Sequence, residues 1–277
     1  MSEINPIILG QVKTTPAKNI SFSGSNELNL VNIQTAKEIG EIAKREIGTM
    51  PFRVASAGYS APPEGYEADT KAFLKFLDSE LGTRSTAFVT SPTVDPGSID
   101  AITTEVTGLN NGKIFYVTAQ DYVEYINPNN TPNSIDSTVY KKAPKYVLPD
   151  PSEYSKATAE ASNIFVSTGG RNATVSDFVN AIKHGNKAIV FDNPKLEVPA
   201  WGDKKGRVEN ASKYLNDQIG AFMKGEPLPH PMVCDFTMEF LDKNKDKLKN
   251  LVCVVSPDKN DPNGIFKAAK QAANFIK

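Results

Sequence analysis

A glycine-rich segment of this sequence carries the residue types that bind anions. Because it lies between a predicted strand and a predicted helix, its glycines would let a ligand approach the backbone closely. The N–H groups of the following helix would favour an anion such as a phosphate. An equally open interpretation is a plain strand–helix turn with no ligand. The segment consists of Thr168, Gly169, Gly170, Arg171, Asn172, Ala173 and Thr174.

Asp177 follows Thr174 by three residues, close to one helical turn, so its carboxylate is expected to lie near the same loop. A carboxylate in that place could stabilise or attack an oxocarbenium-like sugar. Thr174 would cap the helix or bond a phosphate oxygen. Without a ligand, Thr174 is simply the N-cap and Asp177 completes the first turn.

Short β-rich runs alternate with helical runs from residue 51 onward, which predicts an α/β, Rossmann-like fold. Its sheet would be largely parallel, with helices on both faces. The predicted strands are 52–57, 86–90, 113–118, 146–149, 163–167, 187–191 and 251–255. The predicted helices are 66–81, 98–109, 152–162, 174–184, 207–223, 235–249 and 264–277.

Residues 1–50 differ in pattern from the rest of the chain and are predicted to be an N-terminal extension with one helix over 30–47. Residues 51–277 would then form the nucleotide-binding domain, with a strand–helix extension at its C-terminal end. The sequence assigns no role to residues 1–50 or 226–277.

Ligands of parallel sheets bind outside the carboxyl ends of the strands. The loops that come after the predicted strands therefore supply further candidate ligand-binding residues. Besides the glycine-rich segment, these are Gly58, Tyr59, Ser60, Gly97 and Ser98.

Two stretches of the chain resemble the Lonely Guy family, also known as lysine-decarboxylase-like proteins. The stretch 161–190 is similar to the family motif Pro-Gly-Gly-x-Gly-Thr-x-x-Glu and to the helix and strand that come after it. The stretch 57–66 resembles the family's Gly-Ser-Ser loop with a Tyr opening the next helix. The resemblance covers about residues 51–225. It implies a Rossmann-like fold, frequent dimerisation, and cleavage of nucleoside monophosphates to base and ribose phosphate. Relatives in the wider superfamily act as nucleotide sensors or transfer deoxyribose between bases.

The sequence departs from the family pattern at the positions that would do chemistry. Thr168 replaces the motif's Pro, Asn172-Ala173 replaces its later Gly, and Asp177 replaces its catalytic Glu with a side chain one methylene shorter. The family's Arg-Lys pair falls near Glu153-Tyr154, which is not basic. The second glycine loop, at 91–98, retains only Gly97.

Three functions are compatible with these observations. The first is binding of a nucleotide or nucleoside-phosphate-like ligand with altered or lost activity, as in a sensor. The alternative is a nucleoside 5'-monophosphate phosphoribohydrolase or ribosyltransferase that uses Asp177. The third is a structural or partner-binding role.

The composition limits the classes of partner that this protein is expected to bind. The formal net charge of -1 is not the excess of positive charge that binding of nucleic acid requires. No apolar run is long enough to cross a membrane. The thiols Cys234 and Cys253 have apolar neighbours, which favours free cysteines in a reducing, cytoplasmic setting. With only His184 and His230 available, no metal site is expected. No cofactor is expected either. A homodimer is expected from the family resemblance alone.

Overall fold

The structure is a computed structural model that describes residues 28–109, 113–126 and 137–277. The first 27 residues and most of the irregular segment after residue 126 lie outside the described residues.

The described strands form one parallel sheet, which confirms the predicted α/β class. In chain order they are β1 Leu30–Asn32, β2 Phe52–Ala57, β3 Thr86–Thr90, β4 Lys113–Ala119, β5 Lys145–Leu148, β6 Ile164–Ser167, β7 Lys187–Phe191 and β8 Val252–Val255. Their order across the sheet is β1-β5-β4-β3-β2-β6-β7-β8, and every neighbouring pair is parallel.

Helices connect the strands and cover the sheet. They are α1 Ala36–Ile47, α2 Tyr66–Leu81, α3 Ile99–Leu109, α4 Ser137–Lys142, α5 Tyr154–Ala161, α6 Asn172–His184, α7 Ala211–Lys224, α8 Met238–Lys243, α9 Lys245–Leu251 and α10 Gly264–Ile276. Among these described helices, none has the length and apolar character that a bilayer crossing requires.

Both faces of the sheet are buried, because successive residues of a strand pack into two different apolar clusters, one on each face. Ala55 of β2 belongs to the cluster that includes residues of α1, α5, α6 and α7. Its neighbour Val54 belongs to the cluster that includes residues of α2, α3 and α10. Strands covered on both sides read as nearly continuous apolar runs, which explains why their positions could be predicted from the sequence.

The strand order reverses at β2, which lies between β3 and β6. The chain passes from β2 outward through β3, β4 and β5, and then returns to place β6 on the other side of β2. Ligand sites of such sheets lie at this switch point, at the carboxyl ends of the strands. The loops after β2, β3 and β6 therefore surround the expected site.

The N-terminal helix prediction was wrong at its start. Residues 30–32 form β1, which pairs with β5, and the helix begins only at Ala36. The hydroxyl of Thr35 accepts a hydrogen bond from the Glu38 N–H, a cap that sets the start of α1. Ile33 matches the helical spacing although it directly follows the strand.

Two C-terminal helix predictions also needed correction. The helix predicted over 207–223 begins at Ala211, because the side chain of Asn210 caps it by accepting from the Lys213 N–H. The helix predicted over 235–249 is two helices that meet at Asn244. The Asn244 side chain donates to the Phe240 carbonyl at the end of the first of them.

Candidate functional site

The glycine-rich loop after β6 packs against the loop after β2. Its first residue, Thr168, is buried and donates its N–H to the Ala57 carbonyl at 3.0 Å. The Thr168 and Tyr66 hydroxyls lie 2.7 Å apart and share a hydrogen bond. The segments expected to converge thus meet, and they do so through direct contacts with each other.

Contacts within the chain account for both glycines of this loop. Gly169 has φ +130°, and a Cβ placed there would lie 2.5 Å from a ring carbon of Tyr59. Gly170 has φ +82°, and its Cβ would meet the Gly58 carbonyl oxygen at 2.6 Å and the Thr174 hydroxyl. A side chain at either position would need a strained backbone and a displaced neighbour.

Of the predicted ligand-binding residues in the loop after β2, two are packed against other residues and one is exposed. A Cβ on Gly58 would overlap the Tyr66 hydroxyl, so the absence of a side chain at Gly58 leaves room for Tyr66. Tyr59 is buried, and its hydroxyl donates to the Glu209 carbonyl at 2.8 Å. Ser60 is exposed beside them. Their assignment as ligand-binding residues stays a prediction.

Helix α6 starts two residues earlier than predicted. Its first residue is Asn172 and its N-cap is Arg171, which makes no capping bond with its side chain. Thr174 is therefore inside the first turn, buried, and its predicted role as N-cap was wrong. Asn172 is instead fixed from outside the helix: its Oδ1 accepts from the Val208 N–H and its Nδ2 donates to the Gly206 carbonyl.

The start of α6 is the place where the sequence predicts an anion. The first N–H groups of a helix have no partner within it, and the helix dipole adds a partial positive charge there. Arg171 is exposed and its Nε lies 3.3 Å from a carboxylate oxygen of Glu209. The helix N–H groups favour a phosphate in this place, whereas the charge of Arg171 is already paired with the Glu209 carboxylate.

Asp177 lies one and a half turns further along α6. Its Oδ1 accepts a hydrogen bond from the Ser155 hydroxyl on α5. Burial raises the pKa of Asp177 to about 6, while the bond from Ser155 acts in the opposite direction. The sequence-predicted carboxylate is thus held in position, and its affinity for a proton is increased.

Asp100, in the first turn of α3, is a second carboxyl that the sequence prediction missed. Its Oδ1 accepts from the Thr90 hydroxyl at 2.6 Å and from the Ser91 N–H at 3.0 Å. Burial raises the pKa of Asp100 to about 7, with further upward contributions from the charges of Asp177 and Asp95. The signal available in the sequence was only an acid in a helical first turn, which the helix dipole explains by itself.

Asp100 and Asp177 form a pair of electrostatically coupled carboxyls. Each is anchored through Oδ1, and no other described residue forms a hydrogen bond with its Oδ2. No basic side chain of the described residues contributes to the pKa of either group. Two neighbouring carboxyls with raised pKa values are an arrangement that can hold a proton near neutral pH and exchange it with a ligand.

Tyr154 lies near both carboxyls at the start of α5. Burial, followed by the charges of Asp100, Asp177 and the nearby Tyr122, holds the pKa of Tyr154 well above its ordinary value. The phenol is therefore a neutral hydrogen-bond donor at neutral pH. It stands close to where the family resemblance would place a basic pair.

Gly97 and Ser98 support the helix that carries Asp100. Gly97 adopts φ +76° in a buried turn beside Glu67 and Pro62. Ser98 is buried, and its hydroxyl accepts from the Ala101 N–H at 3.2 Å, so Ser98 caps α3. Both residues set the position of the first turn of α3.

Thr118, near the end of β4, has a buried hydroxyl with no hydrogen-bond partner in the described part of the chain. Leaving such a group unsatisfied costs roughly 1–3 kcal/mol. Because Thr90 is in register with Tyr116, Thr118 lies on the same face of the sheet as Thr90, one step nearer the carboxyl edge. Thr90 is the residue that anchors Asp100.

Within the described ranges, no cluster of three or more His, Cys, Asp or Glu side chains could hold a metal ion. The chain matches no protein-family model. It matches no curated protein either.

Proposed function

We propose that this protein binds a nucleoside or nucleoside-phosphate-like ligand at the carboxyl edge of the sheet, between α3, α5 and α6. The observation that carries the proposal is the coupled pair Asp100 and Asp177, each with one anchored and one unengaged carboxyl oxygen. Such oxygens accept hydrogen bonds from vicinal sugar hydroxyls, and Tyr154 can donate one in return.

The proposed orientation places the phosphate at the start of α6. Arg171 and the first N–H groups of α6 would face the phosphate, and Asp177 lies deeper along the same helix. A ribose bridging these two places would put its anomeric carbon toward the carboxyls. The acidic pair disfavours the reverse orientation, because it would repel the phosphate.

Binding without turnover is the first form of this proposal, as in a nucleotide sensor. A second form is cleavage of the N-glycosidic bond, with release of the free base. The raised pKa values of Asp100 and Asp177 favour this second form, since glycoside chemistry uses a carboxyl that holds a proton beside one that does not.

A ligand panel tests the proposal. Purified protein is incubated with adenosine, AMP, GMP, CMP and UMP, while its melting temperature and the release of free base are both measured. A bound ligand raises the melting temperature by mass action. Stabilisation without release supports the sensor, whereas release supports the N-glycosidic enzyme. A protein that none of these compounds stabilises, and that releases no base, contradicts both.

Variants locate the site. Arg171→Ala should weaken stabilisation by AMP more than stabilisation by adenosine, because only AMP carries the phosphate. Lys141→Ala removes a cation from the last turn of α4, where no ligand is proposed, and provides the matched control. Equal losses for AMP and adenosine in Arg171→Ala would contradict the proposed orientation.

Two further properties are proposed: a homodimeric state, from the family resemblance, and a cytoplasmic location, from the two cysteines with apolar neighbours. Sedimentation velocity over a range of protein concentrations tests the first, and fractionation of expressing cells tests the second.

A further inference from the structure

The two ends of the proposed site differ in charge. At the start of α6, the side chains of Arg171 and Arg207 both lie beside the Glu209 carboxylate. Two cations share one anion there, so one positive charge remains, and the helix dipole adds to it. Deeper in the site, Asp100 and Asp177 have no cationic side chain of the described residues beside them. Positive charge at one end and negative charge at the other end suit a ligand with the opposite arrangement of charges.

Asp100 and Asp177 lie within reach of one small ligand because of the strand order. Strands β3 and β6 are on either side of β2, so their carboxyl ends are about 10 Å apart. The Thr90 hydroxyl and the Ser91 N–H fix Asp100 at the end of β3. The Ser155 hydroxyl fixes Asp177 to the start of α5. Both carboxyls are partly exposed, so a ligand lying across this edge of the sheet would meet both.

The groups around Asp100 are acids and phenols. They are Asp95 before α3, Tyr66 of α2, Tyr116 of β4, Tyr140 of α4, Tyr154 of α5 and Asp177 of α6. Phenols are neutral at neutral pH, so nothing in this set compensates a negative charge on Asp100. The faces of aromatic rings also attract cations. These surroundings would therefore stabilise a positive charge in two ways, through the carboxyls and through the rings.

Two of these tyrosines already hold one cation. The Nζ of Lys145 lies 4.4 Å from the ring centroid of Tyr140 and 5.2 Å from that of Tyr116. The same Nζ donates its hydrogen bonds to the Tyr140 and Ala143 carbonyls and not to Asp100. Lys145 therefore shows that these rings accept a cation, while it leaves the carboxyl of Asp100 without an ion pair.

An unused hydroxyl points independently to a ligand on the Asp100 side. Thr118 is 1% exposed, and its hydroxyl has no hydrogen-bond partner in the described part of the chain. Because Thr90 is in register with Tyr116, Thr118 lies on the same face of the sheet as Thr90, one step nearer the carboxyl edge. A buried polar group without a partner needs an explanation, and a ligand at this edge provides one.

We propose that the ligand is a nucleotide whose ring, bonded to the sugar C1', carries a positive charge, and that Asp100 and Asp177 together recognise this charge. Pyridinium nucleotides and N-alkylated purine nucleotides belong to this class. The inference rests on the proposed function and names the chemical class of ligand for the same site. With the phosphate at the start of α6, the group on C1' faces the carboxyls. An ordinary purine or pyrimidine ring is neutral and would leave both carboxyls uncompensated.

Two ligands that differ in ring charge and hardly in shape test the inference. Nicotinamide mononucleotide has a cationic pyridinium ring, whereas its reduced form has a neutral dihydropyridine ring. Isothermal titration calorimetry measures both affinities at about pH 8, where both carboxyls are largely ionised. The wild type should bind the cationic form about 10–100-fold more tightly, as expected for unit charges a few ångström apart in a partly solvated site. Added salt should reduce this ratio, which tests the same point without any substitution.

Variants locate the recognition of the charge. Asp100→Asn and Asp177→Asn should each lower the ratio of the two affinities by about threefold or more, and the double variant should bring it close to one. Asn preserves the shape of each side chain and can still accept from the anchoring donors. Asp246→Asn is the matched control, because it removes an exposed carboxyl from α9, which leads into the amino end of β8. It should keep the wild-type ratio.

Three outcomes decide between the proposals. Equal affinity of the wild type for both forms, or tighter binding of the reduced form, overturns this inference. A preference that survives in the double variant overturns it too, because the charge is then recognised elsewhere. In both cases, binding of the reduced form or of AMP leaves the proposed function standing. A protein that binds neither form and does not bind AMP contradicts the inference and the proposed function together.

Discussion

Ser155 donates a hydrogen bond to Asp177 from the neighbouring helix, although the two residues are 22 positions apart in the chain. The bond joins the start of α5 to the second turn of α6, and those helices pack against each other. It fixes one oxygen of Asp177 and so directs the other. The position of this carboxyl therefore depends on the packing of both helices.

Ser155→Ala should raise the pKa of Asp177, because the lost hydrogen bond stabilises the ionised form. The carbon-13 chemical shift of the carboxyl, followed by NMR over pH, measures it directly. Ser152→Ala removes a hydroxyl from the preceding turn, and Asp177 should titrate there as in the wild type. A pKa of Asp177 that is unchanged or lower in Ser155→Ala would contradict the role given to this bond.

The strands could be predicted from the sequence because they are nearly continuous apolar runs, and most helices could be predicted because their apolar residues recur at helical spacing. The pairing of Asp100 with Asp177 could not, because it depends on which strands become neighbours. Only the placement of β2 between β3 and β6 brings the loops after β3 and β6 to one edge. A family motif points to Asp177, whereas Asp100 lies beside a loop that the motif does not resemble.

Asp100 should make the folded state less stable as the pH rises toward neutrality. Its pKa is about 7 in the folded protein and 3.8 as the ordinary value. The folded state therefore retains a proton that the unfolded chain has released between these values. The stability from this group is fully present below the ordinary value and is lost as the pH rises through about 7. Asp177 acts in the same direction, with a pKa of about 6.

Asp100→Asn removes this effect. In urea denaturation at about pH 8, its free energy of unfolding should exceed that of the wild type by roughly 1–3 kcal/mol. At about pH 5 the gain should be smaller, because the wild-type carboxyl is then protonated in the folded state. Asp203→Asn changes an exposed carboxyl that does not act on the pKa of Asp100, and it should follow the wild-type curve. A gain that is equal at both pH values would mean that packing, and not titration, is responsible.

Gly169→Ala should destabilise the protein by about 2–4 kcal/mol, because it combines a positive φ with an overlap with the Tyr59 ring. Gly185→Ala is the control: its φ is +94°, but no atom lies within 4 Å of the added Cβ. That variant should lose only about 1 kcal/mol. In Tyr59→Ala/Gly169→Ala the overlap is absent, so the two single losses should not add. Additive losses would show that the ring and the glycine are not in contact.

Lys145 should make stability rise with pH in the alkaline range. It is fully buried, and its Nζ donates to the Tyr140 and Ala143 carbonyls. Burial lowers the pKa of Lys145 from 10.5 to about 8. The unfolded chain therefore binds more protons than the folded one between these values, and stability increases as the pH rises through them.

Lys145→Met should remove that increase. Urea denaturation at about pH 7.5 and about pH 9.5 measures it, below the range in which tyrosines ionise. The exposed Lys37→Met provides the control and should keep the wild-type increase. A Lys145→Met protein that still gains stability over this range would show that another group carries the titration.

Asn172, together with Ala173, stands where the family motif has a single glycine, and the contacts of Asn172 show what its side chain does there. Its side chain accepts from the Val208 N–H and donates to the Gly206 carbonyl, so it ties the segment before α7 to the start of α6. A glycine at this point would leave that segment unattached. Asn172→Ala should therefore lower the free energy of unfolding by about 1–3 kcal/mol, since it removes two hydrogen bonds and leaves a backbone donor without its partner.

The loss should come with a local signature. Amide hydrogen exchange at Val208 should become faster in Asn172→Ala, while exchange in β6 stays close to the wild type except for the global loss of stability. Asn250→Ala is the comparison, because it removes a side-chain bond to the Asp246 carbonyl within its own exposed helix. That change should stay within about 0.5 kcal/mol of the wild type. If Val208 remains protected in Asn172→Ala, the segment is held by its other contacts, among them the bond from the Ala211 N–H to the Gly170 carbonyl at 2.8 Å.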